Sequence, residues 1–512
     1  MKKSCKWALI AVLIFLLLVE LLSVIEAHQD DTQIHNFSEA LWYSLITVST
    51  VGYGDMTPVS LPGRIIGLIF VFCSVGLLSA LISLGLHFLD STVLPQFRLR
   101  LNRRHKWCVF SDNNADSHTL ADALLRQEPD CILIFPAGDD EHPAADNTVF
   151  LSTSISSLVQ LRRSAQGLTY FAMAGDPWKN YASAAAAGEE GVTAYCMGDI
   201  RSDALPENVH LFGPAEAVSR RYWDTHPLSE KERCIILIGG GKYAVALLER
   251  ALLNNVFIAD RSIEYHAFGT AAVFSDLHSE IVRALDGSSP TGDKLFLHEE
   301  AWTSARNLLI KADRIILCAD EDSFNLTAHD TLTSLYTSRA ALHIRLNTPL
   351  KDFDCFGQRD EILTPEYVIK DELNRRAVLM NDIYNELSPN PVPWQKLSSF
   401  LQQSNIAAAD HLLVKARYLL QEESLSTLST ADCERAYRRY LELYPTQRDQ
   451  LLEMEHRRWM RFYQMYNWQY APVRDNTLRH HPLLLPYAQL SREDQEKDAY
   501  AWEMLGRLAQ RQ

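Results

Sequence analysis

Two stretches of the chain carry almost no charge. Residues 7–25 contain Glu20 as their one charged residue, and residues 65–89 contain no Asp, Glu, Lys or Arg. A helix of that length spans roughly 28 Å, close to the hydrocarbon core of a bilayer, so both stretches predict membrane-spanning helices. Between them Ser38 is placed to cap a short helix, Glu39 favours its first turn, and Leu41-Trp42-Tyr43 follow. Beyond about residue 106 the pattern changes. Short apolar runs at 107–110, 131–135, 170–172, 193–195, 234–238, 263–268 and 314–319 alternate with helical segments such as 119–125 and 245–253. Strands alternating with helices imply parallel sheets. The last third is mostly helical. Residues 450–466 put His456, Trp459, Tyr463 and Tyr466 on one helix face.

Thr50-Val51-Gly52-Tyr53-Gly54-Asp55 lies between the two spans. This run resembles the selectivity filter of potassium channels. The order helix, short helix, filter, helix resembles the two-span potassium-channel pore over residues 7–90. The resemblance implies K⁺ as the transported ion, held by backbone carbonyls of Thr50, Val51, Gly52 and Tyr53 and by the Thr50 hydroxyl, where four chains meet on one axis. Gly52 and Gly54 admit dihedrals that a Cβ would forbid. The short helix would aim its negative end at the ion path. A homotetramer in a lipid bilayer follows. In such channels a hinge glycine stands eleven residues after a Gly-Arg pair. Counted from Gly63-Arg64 that position is Ser74, so Gly76 is the available gating hinge, or else a small residue for helix packing.

Charge sets the orientation. Lys2, Lys3 and Lys6 precede the first span, and Arg98, Arg100, Arg103, Arg104 and Lys106 follow the second. The segment between carries Glu26, Asp30, Asp31, Glu39 and Asp55, with no Lys or Arg before Arg64. The positive-inside rule then places both termini and all regulatory parts in the cytoplasm, with the pore in the cell (inner) membrane. A basic start with Ala27 near a cleavage site also fits a signal peptide, but the length of the apolar stretch and the second span argue against one. Neither span carries the Arg repeat of a voltage sensor. The net charge of −15 speaks against nucleic acid as a partner, and nine cysteines without a CxxC pair suit a reducing compartment.

After a linker at 91–106, residues 107–229 and 230–362 read as two α/β units. In position and pattern they resemble the tandem Rossmann-like regulator-of-conductance lobes found behind such pores. The first has no glycine between Trp107 and Pro136, so it reads as a scaffold. In the second, Gly239, Gly241 and Ala244 fit the G-x-G-x-x-G/A spacing, with Gly240 between, at a strand-to-helix turn. That turn predicts either adenine-nucleotide binding or a tight packing turn. The acidic residue expected after the next strand is missing, because Asp260 precedes that strand. Asp320-Glu321-Asp322 at the end of a later strand could hold Ca²⁺, or form a solvated loop with a helix cap. No redox cofactor is expected.

Residues 363–512 resemble the RyR domain. The likeness rests on the segment from Ser404 to Lys415, on Glu453 to Trp459, on Asn467 to Pro472 and on His481 to Tyr487; Asn467 and Ala471 stand where many relatives have glycine. His456, Arg457, Arg458, Trp459, Trp468, Tyr470 and Arg474, with His411 and Lys415 nearby, could hold a base and a phosphate. The same residues could equally be a helical core with a solvated cationic face. His480-His481 lacks a third metal ligand. There is no nucleophile elbow, zinc signature or Walker loop, so no enzyme is expected. Together these features predict a potassium-selective channel gated by a cytoplasmic small molecule, a nucleotide or another phosphorylated compound. The alternatives are a membrane-tethered nucleotide sensor or scaffold with a non-conducting pore, and a tethered redox fold.

Overall fold

The computed structural model describes residues 2–137, 147–199, 205–287, 292–336, 338–351 and 353–511, and it divides into two compact units, up to Leu101 and from Asn102 onward. The first unit holds the helices Lys2–Glu26, Phe37–Val48 and Leu61–Phe88. Side chains of residues 2–11, Lys2, Lys3 and Lys6 included, lie outside the described residues. The helix Leu61–Leu101 is long and apolar enough to cross a membrane. Ser60 caps it by accepting from Gly63 N, and a proline follows in the first turn. Phe37–Val48 is capped by Asn36, not by the expected Ser38. Asn36 has the extended backbone of a cap and accepts from Glu39 N, whereas Ser38 is already helical.

Val19, Leu22, Ile34, Ala40, Ile66 and Phe70 form the core of this unit. Leu13, Leu17, Leu68, Phe72 and Leu84 are exposed. So broad an apolar surface on one chain calls for lipid or further copies to cover it. Near its end the long helix widens into a π turn at Leu89–Val93 and resumes as Leu94–Leu101. Pro95 explains the break, because it has no N–H to give to the preceding turn.

The second unit contains two six-stranded parallel sheets. The first joins β1 (Trp107–Phe110), β2 (Ile132–Phe135), β3 (Thr148–Phe150), β4 (Leu168–Ala172), β5 (Thr193–Met197) and β6 (Val209–Phe212) in the order β3-β2-β1-β4-β5-β6. The second joins β7 (Cys234–Ile238), β8 (Glu264–Phe268), β9 (Lys294–His298), β10 (Arg314–Leu317), β11 (Ala341–Arg345) and β12 (Cys355–Phe356) in the order β12-β11-β10-β7-β8-β9. Both follow the doubly wound order 3-2-1-4-5-6. Their central strands are continuous apolar runs because helices cover both faces. The two lobes share a side-chain device. Asn180 is bonded to both the N–H and the C=O of Ala174 and reaches across to Met197 O; Asn325 does the same with Ala319 and Arg345 O.

Residues 363–512 build the helices Arg375–Leu387, Ser399–Leu420, Thr430–Glu442, Pro445–Met465 and Tyr500–Ala509. Trp502 is buried among them and donates to Leu451 O at 3.0 Å. Phe462, Tyr463, Met465 and Trp468 belong to the same core as Leu247, Tyr265 and Phe274 of the second lobe. The helical segment therefore shares its hydrophobic centre with that lobe. Buried ion pairs reinforce the junction. Asp410 accepts twice from Arg220 at 2.8 Å and once from Arg250 at 3.4 Å, and Lys415, Glu455 and Arg458 form a second cluster.

Asp410→Ala would strip the buried Arg220 of its two-pronged partner and leave Arg220 and Arg250 to share the one carboxylate of Glu216. Breaking one partner of such a cluster costs about 3–5 kcal/mol. Thermal unfolding of the purified chain should shift markedly downward, and an unshifted midpoint would refute the assignment.

Candidate functional site

The filter run leaves the C-terminus of the helix Phe37–Val48 and turns back on it. Thr50 N donates to Thr47 O, and Val51 N and Gly52 N both donate to Ile46 O, at 3.0–3.1 Å. Thr50, Gly52 and Gly54 have positive φ at 64°, 53° and 73°, while Val51 and Tyr53 between them do not. In a strand successive carbonyls point to opposite sides; alternating the sign of φ turns them to the same side. Glycine accepts this at little cost, but the β-branched Thr50 is strained there. All five residues from Thr50 to Gly54 are exposed on the single chain. Trp42 stacks on Tyr53 at 6.3 Å and donates from Nε1 to Asp55 Oδ2 at 3.3 Å, so the run is held from its flank as well.

Glu26 closes this framework, a role not visible in the sequence. It is fully buried at the end of the first helix. Its carboxylate accepts from Thr32 Oγ1 at 3.1 Å, Val59 N at 2.9 Å, Ser60 N at 3.1 Å and Ser60 Oγ at 2.5 Å. The negative charge therefore sits over the N-terminus of the long helix, where the helix dipole favours it. Gly63 makes room: a Cβ there would come within 1.9 Å of Glu26 Oε1. The other inner-helix positions are less constrained. The helix runs straight through Ser74, which donates to Val71 O at 2.7 Å, and a Cβ on Gly76 would meet nothing within 4 Å.

The glycine turn of the second lobe already contains an anion. Asp320 accepts from Lys242 N and Tyr243 N, both at 3.2 Å, at the start of the helix Lys242–Asn254. A Cβ on Gly241, whose φ is +99°, would strike this carboxylate at 2.3 Å, and one on Gly239 would strike Ala319 N at 2.3 Å. Packing alone thus requires the glycines; Gly240 and Ala244 sit between and behind them. The expected acidic trio is dispersed. Asp320 caps one helix, and Asp322 accepts from Arg345 and from Asn347 N instead of facing Asp320 across a Ca²⁺ site. In the first lobe polar side chains fill the equivalent crevice: Ser111 accepts from Met173 N, and Asn114 donates to Met173 O while capping its own helix.

The expected ligand face of the C-terminal segment is largely interior. His456 is buried and bonded to Leu485 O at 2.8 Å; Arg458 is buried against Glu455; Arg457 donates to Phe257 O. Trp459 is half-buried against Tyr463, and Trp468 lies in the shared core. His411 and Lys415 are buried as well, bonded to Val256 O and Glu455. Tyr470 and Arg474 remain exposed. Of the two readings left open by the helix pattern, the packing face describes most of these residues, because helices of the second lobe, Lys242–Asn254 and Ser279–Ala284, lie against the helix Pro445–Met465. His481 turns its Nδ1 to Leu483 N, away from any metal role with His480.

Residues 7–91 match the family described as "Ion channel". Over 185 residues the chain is 26% identical to the calcium-gated potassium channel TvoK of Thermoplasma volcanium, covering 35% of this chain and 45% of that protein. The match thus spans less than half the length of that relative. Over 42 residues it is 43% identical to potassium voltage-gated channel subfamily A member 6 of Homo sapiens, covering 8% of each. Among solved structures, GsuK bound to ADP aligns at 13% identity with a TM-score of 0.35, over 72% of this chain and 99% of that one. The GsuK channel bound to NAD aligns at 12% identity with a TM-score of 0.35, over 73% and 85%. An ion-channel domain therefore stands at the N-terminal end, followed by two parallel-sheet α/β units.

Val59 N and Ser60 N donate to different oxygens of Glu26, so Glu26→Gln would keep an acceptor for one and set an amide NH₂ against the other. Hydrogen bonds to a charged acceptor are worth about 1.5–3 kcal/mol. Thermal unfolding of the purified chain in detergent should begin at a clearly lower temperature, while unchanged heat resistance would remove Glu26 from this role.

Proposed function

We propose that four copies of this chain form a potassium-selective channel in the cell membrane, gated by a small molecule acting on the cytoplasmic α/β lobes. The filter backbone carries the reading: positive φ at alternate residues, with the N–H groups tied back onto the pore helix. That arrangement leaves the carbonyls of Thr50, Val51, Gly52 and Tyr53 to replace the water shell of K⁺ when four chains surround one axis. The similarity to a calcium-gated potassium channel supports both the ion and control by a ligand. The purified chain in liposomes should pass K⁺ and exclude Na⁺. Gly54→Ala places a Cβ at φ +73°, a strain of about 1–2 kcal/mol in each of four copies, and should abolish selective flux. Equal K⁺ and Na⁺ flux through the unmodified protein would end the proposal.

The ligand we favour is a nucleotide or related phosphorylated molecule whose phosphate displaces Asp320 at Gly239–Gly241. The helix N-terminus there already stabilises a negative group. Asp320→Asn removes a competing charge and should tighten binding of ADP about tenfold by calorimetry, or about 1.4 kcal/mol. Identical or absent heats in both proteins would locate regulation elsewhere.

A further inference from the structure

Among the described residues, one cluster of metal-ligating side chains lies apart from both the pore and the glycine turn. It consists of His226, His343 and Asp354, whose ligand atoms all fall within 4.8 Å of one another. We propose that these three residues form a binding site for a divalent transition metal of the Zn²⁺ class, joining the end of the helix Pro214–Thr225 to the edge of the second sheet.

Each residue is prepared for the role by a different element. His226 follows directly on the helix Pro214–Thr225. Its Nδ1 lies 2.9 Å from Thr225 Oγ1, and that hydroxyl gives its own proton to Arg221 O at 2.8 Å. The hydroxyl oxygen must therefore accept, so the proton of His226 is on Nδ1 and the lone pair is on Nε2. Nε2 points to Asp354 Oδ1 at 3.8 Å. A ring nitrogen fixed by an outer partner while the other faces a carboxylate is the usual support of a metal-bound histidine. His343 stands on β11 with only 7% of its surface exposed. Its Nδ1 is buried with no hydrogen-bond partner and faces Asp354 Oδ2 at 3.8 Å. Buried ring nitrogens are rarely left unmatched, so this one calls for an occupant. Asp354 precedes β12, and its side chain is 63% exposed, free to adjust.

The separations suit a small ion. With metal–nitrogen and metal–oxygen bonds of about 2.0–2.1 Å, tetrahedral ligands lie about 3.4 Å apart. The two imidazoles lie 3.8 Å from different oxygens of Asp354, and the three ligand atoms lie within 4.8 Å of one another, so the exposed carboxylate has to swing inward to close the site. Two imidazoles and one carboxylate match Zn²⁺, Co²⁺ or Ni²⁺ better than Ca²⁺ or Mg²⁺, which take oxygen ligands. A fourth position is left for water. A neutral imidazole offers one ring-nitrogen lone pair, and the unpartnered Nδ1 of His343 is the atom that would supply it. Arg314 donates to His226 O, and Glu232 neutralises it through contacts at 2.7 and 3.0 Å. Tyr222 stacks on His226 at 4.8 Å and meets His343 edge-on at 5.6 Å, which fixes both rings.

The test is calorimetric titration of Zn²⁺ alone into the full-length, chelator-stripped protein, with Co²⁺ as a spectroscopic substitute. One equivalent per chain is expected, with the visible bands of four-coordinate cobalt. Loss of one ligand should weaken binding by a factor of ten or more, as outer-sphere losses alone cost about 10–100-fold. Asp354→Asn is the first variant because its exposed side chain supports no packing, and His226→Gln is the second. Retained near-native circular dichroism with lost Zn²⁺ binding and lost cobalt bands supports the site. Saturable binding of equal strength in the wild type and in Asp354→Asn, or no stoichiometric binding to the wild type, overturns it.

Discussion

A loop in which φ changes sign at alternate residues cannot pair its N–H groups as a strand or a helix would, so they must find partners elsewhere. Here the solution is local: three successive N–H groups from Thr50 to Gly52 fold back onto Thr47 and Ile46 at the end of the preceding helix. That choice dictates much of the first unit. The helix must end where it does, Thr50 must accept an unfavourable backbone, and the far end of the loop must be anchored independently. Trp42 with Asp55 provides one anchor, and Glu26 beneath Val59 and Ser60 provides the other. The buried carboxylate links the first helix, the returning loop and the cap of the long helix in one group of atoms.

The two lobes show how one plan diverges at its crevice. Asn180 and Asn325 occupy corresponding places after the fourth strand of each sheet and make the same three bonds. Ahead of them the lobes differ. Ser111 and Asn114 close the first crevice with neutral polar contacts, whereas a carboxylate on a glycine turn closes the second. The first is sealed by groups that no anion would displace; the second is sealed by one that an anion would imitate.

Much of this could be read from the sequence. The long apolar helix, the strands β1, β2, β4, β5, β7, β8 and β10 and the glycine turn are local patterns that lie close to where their residues indicate. The strands β3, β6, β9, β11 and β12 are not anticipated, because they are short or carry polar residues. Ser38 and Asn36 both suit a cap, and only the backbone at Asn36 distinguishes them. Glu26, by contrast, is one carboxylate among several in an acidic segment; its partners are 33 and 34 residues away. Asp320 meets the glycine turn from 77 and 78 residues away. For the aromatic face of the C-terminal segment, periodicity correctly identifies the buried side but is silent about which surface buries it. The pairing of Asp410 with Arg220 spans 190 residues and leaves no trace in local pattern.

The π turn at Leu89–Val93 gives the long helix a property that its length conceals. One extra residue per turn advances the azimuth by about 100° and the axis by about 1.5 Å relative to an uninterrupted α-helix. The stretch beyond Pro95, with Arg98 and Arg100, is therefore out of phase with the helical turns that precede Leu89. Leu61 to Leu101 is thus a screw with a slipped thread, in which side chains on either side of Leu89–Val93 keep no common α-helical register.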